Sequence, residues 1–303
     1  MNRYGTPLRY PGGKQRLAPF VAEILRSNKL VGGHYAEPYA GGAGLAIRLL
    51  LSNQVEHIHL NDSSVPIYAF WRSIQRNADE FCRRIASASL TVDEWQRQRH
   101  ILKHTRDFPQ IDVGFSLFYL NRCNRSGIPN GGVIGGISQQ GRWKMDARFP
   151  RNELIRRVEA ISKNRERITV TKLDAEAFIK RYVSKLPSRT LVYCDPPYFH
   201  RSSRLYLNYY KPNDHVRLAK TIQRHLKRPW LVSYDDVPEI RKLYMKRHSI
   251  FCKVQYNAAL AYTGTEVFFA SDGLELPSDP SAKPPAEPSR TSSSVTSRDR
   301  CDI

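Results

Sequence analysis

Four short apolar runs punctuate the chain: HIHLND at 57–62, ITVTKL at 168–173, TLVYCD at 190–195 and PWLVSYDD at 229–236. Their length and β-branched content predict buried strands. HYAE, just before a glycine-rich turn, reads as a further short strand. DAEAFIKRYV at 174–183 and DHVRLAKTIQRHL at 214–226 place apolar residues at helical spacing, and each opens on an Asp suited to capping a helix. Such alternation implies parallel βαβ units with helices on both faces of one sheet. From Pro66 to about Arg157 the period becomes helical throughout and ends in the polar, glycine-rich loop SGIPNGGVIGGISQQGRWK. The predicted organisation is an α/β body from residues 1–65 and 158–275, a helical insertion at 66–157, and a Pro- and Ser-rich tail at 276–303 too poor in large apolar side chains to order itself.

Charge narrows the partner. Lysine and arginine number 48 against 28 acidic residues in 303, a formal +20 that attracts a polyanion and makes nucleic acid the leading class. The five cysteines form no C-x-x-C pair, and no histidine stands at zinc-ligand spacing, so neither disulfides nor a metal site are expected and a reducing compartment fits. Nothing approaches the ~18 continuous apolar residues that a membrane span requires. A soluble cytoplasmic protein with no membrane association is expected.

Two stretches carry chemistry. HYAEPYAGGAGLAIRLLL at 34–51 is a strand, a turn with Gly41, Gly42 and Gly44, and a helix, an arrangement that lets backbone approach a ligand at a helix N-terminus. It is not G-x-G-x-x-G, and YPGGKQ fails the phosphate-loop pattern at Leu8 and Gln15. Asp62, ending the next strand, is placed to accept hydrogen bonds from ribose hydroxyls, or to cap the helix after it. The second stretch, Asp195-Pro196-Pro197-Tyr198, lies at the carboxyl end of a strand, where open α/β sheets bind ligands. Its prolines have no N–H to compete for their carbonyls. A carboxylate oxygen and the Pro196 carbonyl are two acceptors for the two hydrogens of an exocyclic amine. Gripping both helps the nitrogen become tetrahedral and localise its lone pair, while Tyr198 is positioned to stack on the base.

In order along the chain, RYPGGK, EPYAGGAG, LND, FYLNRC, GRWKMDARFPRNEL, LVYCDPPY and PWLVSYDD resemble the Dam-type DNA adenine-N6 methyltransferases from about Leu8 to Ser271. The resemblance implies a Rossmann-like methyltransferase sheet closed by an antiparallel hairpin, here 248–256 and 265–271, with a target-recognition domain inserted before the catalytic strand. It implies S-adenosyl-L-methionine as cofactor, touched by Tyr10, where the family more often has Trp, and by Lys14. Glu37, Gly41 and Gly44 would shape the methionine end and Asp62 would bind the ribose. Asp174 would meet the adenine or simply cap its helix; Ala175 stands where an aromatic commonly follows. Asp195, Pro196, Pro197 and Tyr198 would be catalytic, and Asn121, Arg122, Arg125, Arg142, Trp143 and Lys144 would contact double-stranded DNA, with Arg142 reading guanine and Trp143 helping base extrusion. The expected activity is methyl transfer to N6 of a flipped adenine by a monomer, with a cognate restriction endonuclease as potential partner. Cytosine N4 or RNA adenine methylation, and an inactive DNA-binding regulator, are the alternatives.

A polyanion partner makes binding salt-sensitive through counterion release. DNA affinity measured by anisotropy between 50 and 200 mM salt, roughly, is expected to fall about 10³-fold or more; a flat response would remove nucleic acid as the reason for the charge.

Overall fold

A computed structural model of the protein describes residues 5–9, 14–199, 210–257 and 261–277. Tyr10 and the tail from 278 onward lie outside these residues; Leu276, where the tail was expected to start, still packs against the core.

Seven strands form one mixed sheet: β1 His34–Glu37, β2 His57–Asn61, β3 Ile168–Thr171, β4 Thr190–Cys194, β5 Trp230–Asp235, β6 Ser249–Asn257 and β7 Ala261–Ala270. Their order is β3-β2-β1-β4-β5-β7-β6, and every pairing is parallel except those of β7 with β5 and β6. Fully buried runs such as TLVYC in β4 follow from this, because a parallel sheet is covered on both faces and cannot afford the polar alternation of a one-sided sheet. β1 and β4 are neighbours, with Ala36 paired to Val192, although they lie far apart in sequence, because the chain first builds the β2–β3 edge before returning.

 

Counted from the end of β1 at Glu37 to the start of β4 at Thr190, 152 residues intervene, and the excursion opens a crevice between the two strand tips. In an open α/β sheet such a switch point is where ligands bind.

One face of the sheet is covered by α1 Ala18–Ser27, α2 Gly44–Leu51, α3 Val65–Arg76 and α7 Arg151–Ser162. The helices α4 Ala78–Ser87, α5 Val92–Lys103 and α6 Gln110–Cys123 complete the connection between β2 and β3. The other face carries the short α8 Ala175–Ala177, which runs into a π turn at Phe178–Tyr182, then α9 Pro212–His225 and α10 Pro238–Leu243. Phe70, Phe81, Phe118 and Leu154 of the 66–157 segment join the same apolar cluster as Ile58, Leu60 and Leu191 of the strands. That segment therefore shares its main apolar core with the strands, beside a smaller cluster of its own made by Ala69, Ile101 and Val113. α9 starts two residues earlier than Asp214 suggested: Pro212 takes the first turn, where its missing N–H costs nothing, and Asp214 accepts the Lys211 N–H from inside the helix at 2.8 Å.

Asn121 and Arg122, expected at DNA, are turned inward at the end of α6. Asn121 accepts from the Arg9 N–H at 2.7 Å and donates to the carbonyls of Arg9 and Gly127 at 2.7 and 2.8 Å. Arg122 donates through Nε to the Pro7 carbonyl at 2.8 Å and through a second nitrogen to the same oxygen. With 2% and 6% of their surface exposed, both are buried and satisfy backbone groups that would otherwise be unpaired, rather than standing on the surface. Gly127 completes the junction: its φ of +73° and an imagined Cβ 2.4 Å from the Arg9 carbonyl leave room for glycine alone.

The two readings of Arg122 separate cleanly. Arg122→Ala is expected to cost about 2–4 kcal/mol in denaturant unfolding, by stranding a buried carbonyl, and to leave the salt slope of DNA binding unchanged. A lost phosphate contact would instead lower that slope by about 1.

Candidate active site

A cavity of about 270 Å³ lies at the switch point. Glu37 and Tyr39 reach it from the tip of β1, Gly41 and Gly44 from the turn into α2, Asp62 and Ser64 from the tip of β2, Asp174 from β3, and Asp195 and Pro197 from β4. The turn is bent by Gly41 at φ +45° and Ala43 at φ +43°. It is held from below by the Trp71 indole, which donates to the Gly41 carbonyl at 2.9 Å. Asn61, which the sequence reading passed over, pins three tips together. Its amide donates to the carbonyls of Pro38 and Leu173, both at 3.0 Å, and its oxygen accepts from the Leu173 N–H and the Thr171 hydroxyl.

Asp195 stands over this crevice with 23% of its side chain exposed. Its Oδ1 is taken by Lys14 Nζ at 3.0 Å and by the Ser233 hydroxyl at 3.0 Å, while its Oδ2 makes no hydrogen bond among the described residues. Lys14 is buried and also lies 3.1 Å from Glu266 Oε1 and 2.9 Å from the Tyr198 hydroxyl. Tyr198 in turn donates to Glu266 at 2.7 Å. Burial works against the Lys14 ammonium, but Asp195 and Glu266 outweigh it and hold the lysine firmly protonated. Burial lifts the Asp195 carboxyl above the usual range; Lys14 pulls it down and Glu266 pushes it further up. Tyr198 is therefore not the open stacking platform the motif suggested. With 4% of its surface exposed, its hydroxyl needs internal partners, and Lys14 and Glu266 supply them.

Asp62 accepts from the N–H groups of Gly41 and Ser64 at 3.0 and 2.9 Å, and burial pushes its carboxyl up to about 6. Beside it, the buried Ser64 hydroxyl has no hydrogen-bond partner among the described residues. Asp174 caps α8, accepting from Glu176 and Ala177 N–H at 2.9 and 3.3 Å, and also lines the cavity. Where Ala175 leaves no ring, Tyr39 and Tyr210 line the same cavity with their hydroxyls 2.9 Å apart. Arg125, Arg142, Trp143 and Lys144 face solvent on the 124–144 loop, with the Arg142 guanidinium 5.5 Å from the centre of the Trp143 ring. Gln139 braces that loop through the carbonyls of Ile134 and Gly136, and its Gly127 and Pro129 wall the cavity.

A family model described as D12 class N6 adenine-specific DNA methyltransferase matches residues 10–258. The chain belongs to that family. No curated protein sequence matches this methyltransferase. Among solved structures, it is similar to a candidate RNA methyltransferase of Pyrococcus horikoshii, at 10% identity and a TM-score of 0.40 over 87% of this chain and 84% of that one. It is also similar to the rRNA methyltransferase aviRa of Streptomyces viridochromogenes, at 12% identity and a TM-score of 0.39 over 86% and 85%. Among the described residues of the methyltransferase, no helix is long and apolar enough to cross a membrane, and no cluster of His, Cys, Asp and Glu is arranged to hold a metal.

Glu266 and Ser233 went unnoticed in the sequence, although a charged residue two positions before Phe268 in an apolar strand is a signal that it has a buried partner. Glu37 was noticed, and its state is unusual. It is buried, accepts from the Tyr35 hydroxyl at 3.0 Å, and burial pushes it up to about 8. A carboxyl raised in this way holds its proton in the fold after the unfolded chain has lost it. Its contribution is full below about 4.5 and drains away as pH rises to about 8. Glu37→Gln mimics the protonated form, so its denaturant stability relative to the native chain is expected to improve by on the order of a few kcal/mol between pH 5 and 8, roughly. Parallel curves for the two proteins would show that Glu37 is ionised throughout.

Proposed function

We propose that this methyltransferase transfers the methyl group of S-adenosylmethionine to N6 of an adenine turned out of double-stranded DNA, with the Asp195 turn as the amine-binding site. The observation that carries the reading is the asymmetry of Asp195: Oδ1 is anchored by Lys14 and Ser233, and Oδ2 is left for an incoming donor. An adenine amine offers two hydrogens. Asp195 Oδ2 accepts one and the Pro196 carbonyl accepts the other, which draws the nitrogen toward a tetrahedral geometry with its lone pair available. Lys14 and Ser233 keep the carboxylate from swinging away, and Oδ2 is the acceptor at hand for the proton the nitrogen sheds. Tyr198 serves as the anchor of the turn rather than as a stacking face.

The cavity suits the cofactor on three counts. Asp62 and the unpartnered Ser64 hydroxyl are placed for ribose hydroxyls, the raised Glu37 carboxyl would ionise on meeting a cationic group, and Tyr39, Tyr210 and Asp174 form an aromatic and polar end for a purine. When bound there, S-adenosylmethionine supplies an electrophilic methyl group on a sulfonium. The exposed Arg125, Arg142, Trp143 and Lys144 then meet DNA on the loop that walls the cavity, Arg142 for a guanine edge and Trp143 for the space an extruded base leaves. The excess positive charge fits a cytoplasmic enzyme acting on the genome.

Incubating double-stranded DNA with the enzyme and cofactor, then digesting it to nucleosides for mass analysis, is expected to reveal N6-methyladenine; N4-methylcytosine alone would overturn the substrate. Asp195→Ala is expected to lower the rate at least about 10³-fold while leaving DNA affinity, set mostly by phosphate contacts, within about threefold. Because the Asp195 carboxyl is raised, kcat/KM should fall as pH drops, beginning above the ordinary aspartate range.

A further inference from the structure

We infer that Glu266, on β7, is a positioning residue for methyl transfer: it holds Lys14 and the Tyr198 hydroxyl from the far side of Asp195 and so sets both the orientation and the acceptor strength of that carboxylate. The inference rests on the proposed role of Asp195 and adds a residue outside the Asp-Pro-Pro-Tyr motif.

Three elements meet at this point. Lys14 comes from the turn before α1, Asp195 and Tyr198 from the tip of β4, and Glu266 from β7, where it pairs in register with Asp235 of β5. Glu266 has no exposed surface. A carboxylate in that position is costly unless it is met by a cation and hydrogen bonds. Lys14 at 3.1 Å and the Tyr198 hydroxyl at 2.7 Å meet it at a single oxygen, Oε1. The lysine is thereby shared between two carboxylates, one fully enclosed and one open to the cavity. Without Glu266, Lys14 would pair with Asp195 alone and withdraw charge from the oxygen pair that has to grip an amine. The Tyr198 hydroxyl would lose its acceptor, releasing the turn whose carbonyls complete the site. The fold thus invests a buried charge in β7, the strand whose antiparallel entry brings a side chain behind the β4 tip.

The charged and titratable groups facing Asp195 are Lys14 from the N-terminal segment, Tyr35 and Glu37 from β1, Tyr193, Cys194 and Tyr198 from its own strand and turn, and Glu266 from β7. Beyond burial, which raises the Asp195 carboxyl, Lys14 lowers it and Glu266 raises it, while Asp195 in turn raises Glu37. Removing the Glu266 charge therefore moves the Asp195 titration down, and the acid limb of kcat/KM should move to lower pH.

The test measures N6-methyladenine formation on duplex DNA across pH for the native chain, Glu266→Gln and Glu266→Asp. Glu266→Gln is expected to lower kcat at least about tenfold with KM for DNA within about threefold, and to shift the acid limb downward by roughly half a pH unit or more. Glu266→Asp keeps the charge but shortens the arm, so kcat falls while the acid limb stays at its native position. An unmoved acid limb in Glu266→Gln, or native kcat in either variant, overturns the positioning role. If Glu266→Gln yields no folded protein, the Glu266→Asp rates decide, native kcat again overturning it. Should the native chain form no N6-methyladenine, the proposed function itself fails, an outcome separate from these.

Discussion

The ammonium of Lys14, enclosed between Asp195 and Glu266, is the interaction on which the site depends. It links the N-terminal segment, the central strand and the antiparallel strand at one point, and it does so with charges that burial would otherwise expel. Removing Lys14 would leave two neighbouring carboxylates without their cation, and removing either carboxylate would commit the lysine to the other, so the three charges are tuned together. Elsewhere, the buried Asn121 and Arg122 pin the backbone of Pro7 and Arg9 to the end of α6.

Around that cluster, the cavity is built from strand tips rather than from a separate binding domain. The reversal between β1 and β4 opens the crevice, and Asn61 ties the tips of β1, β2 and β3 into one rim through its side-chain amide. Buried acids then divide by environment. Asp62 is eased by two backbone N–H groups, whereas Glu37, with a tyrosine hydroxyl for company and Asp195 nearby, holds its proton far more tightly.

Much of this was legible in the residues. Strands at 57–62, 168–173, 190–195 and 229–236 show themselves by apolar runs ending in polar residues, and each lies in the sheet. The Asp-Pro-Pro-Tyr stretch and the glycine turn carry local chemistry that needs no partner to be noticed. Glu266, Ser233 and Asn61 were not singled out, because each acts through a residue more than twenty positions away. Tyr198 and Arg122 were noticed, but their burial and partners were not, because motif position identifies a side chain but not the direction in which it points.

By itself, then, the sequence determined the kind of sheet, the polyanion partner and the chemistry available at the β4 tip, since these follow from periodicity, charge and side-chain type, which are properties of short stretches. Only the tertiary structure decided which oxygen of Asp195 is free, which cation stands behind it and which arginines stay exposed. Those are questions of distance and burial between segments far apart in the chain, and a hydrogen bond or ion pair exists only where folding has brought its two halves within about 3 Å.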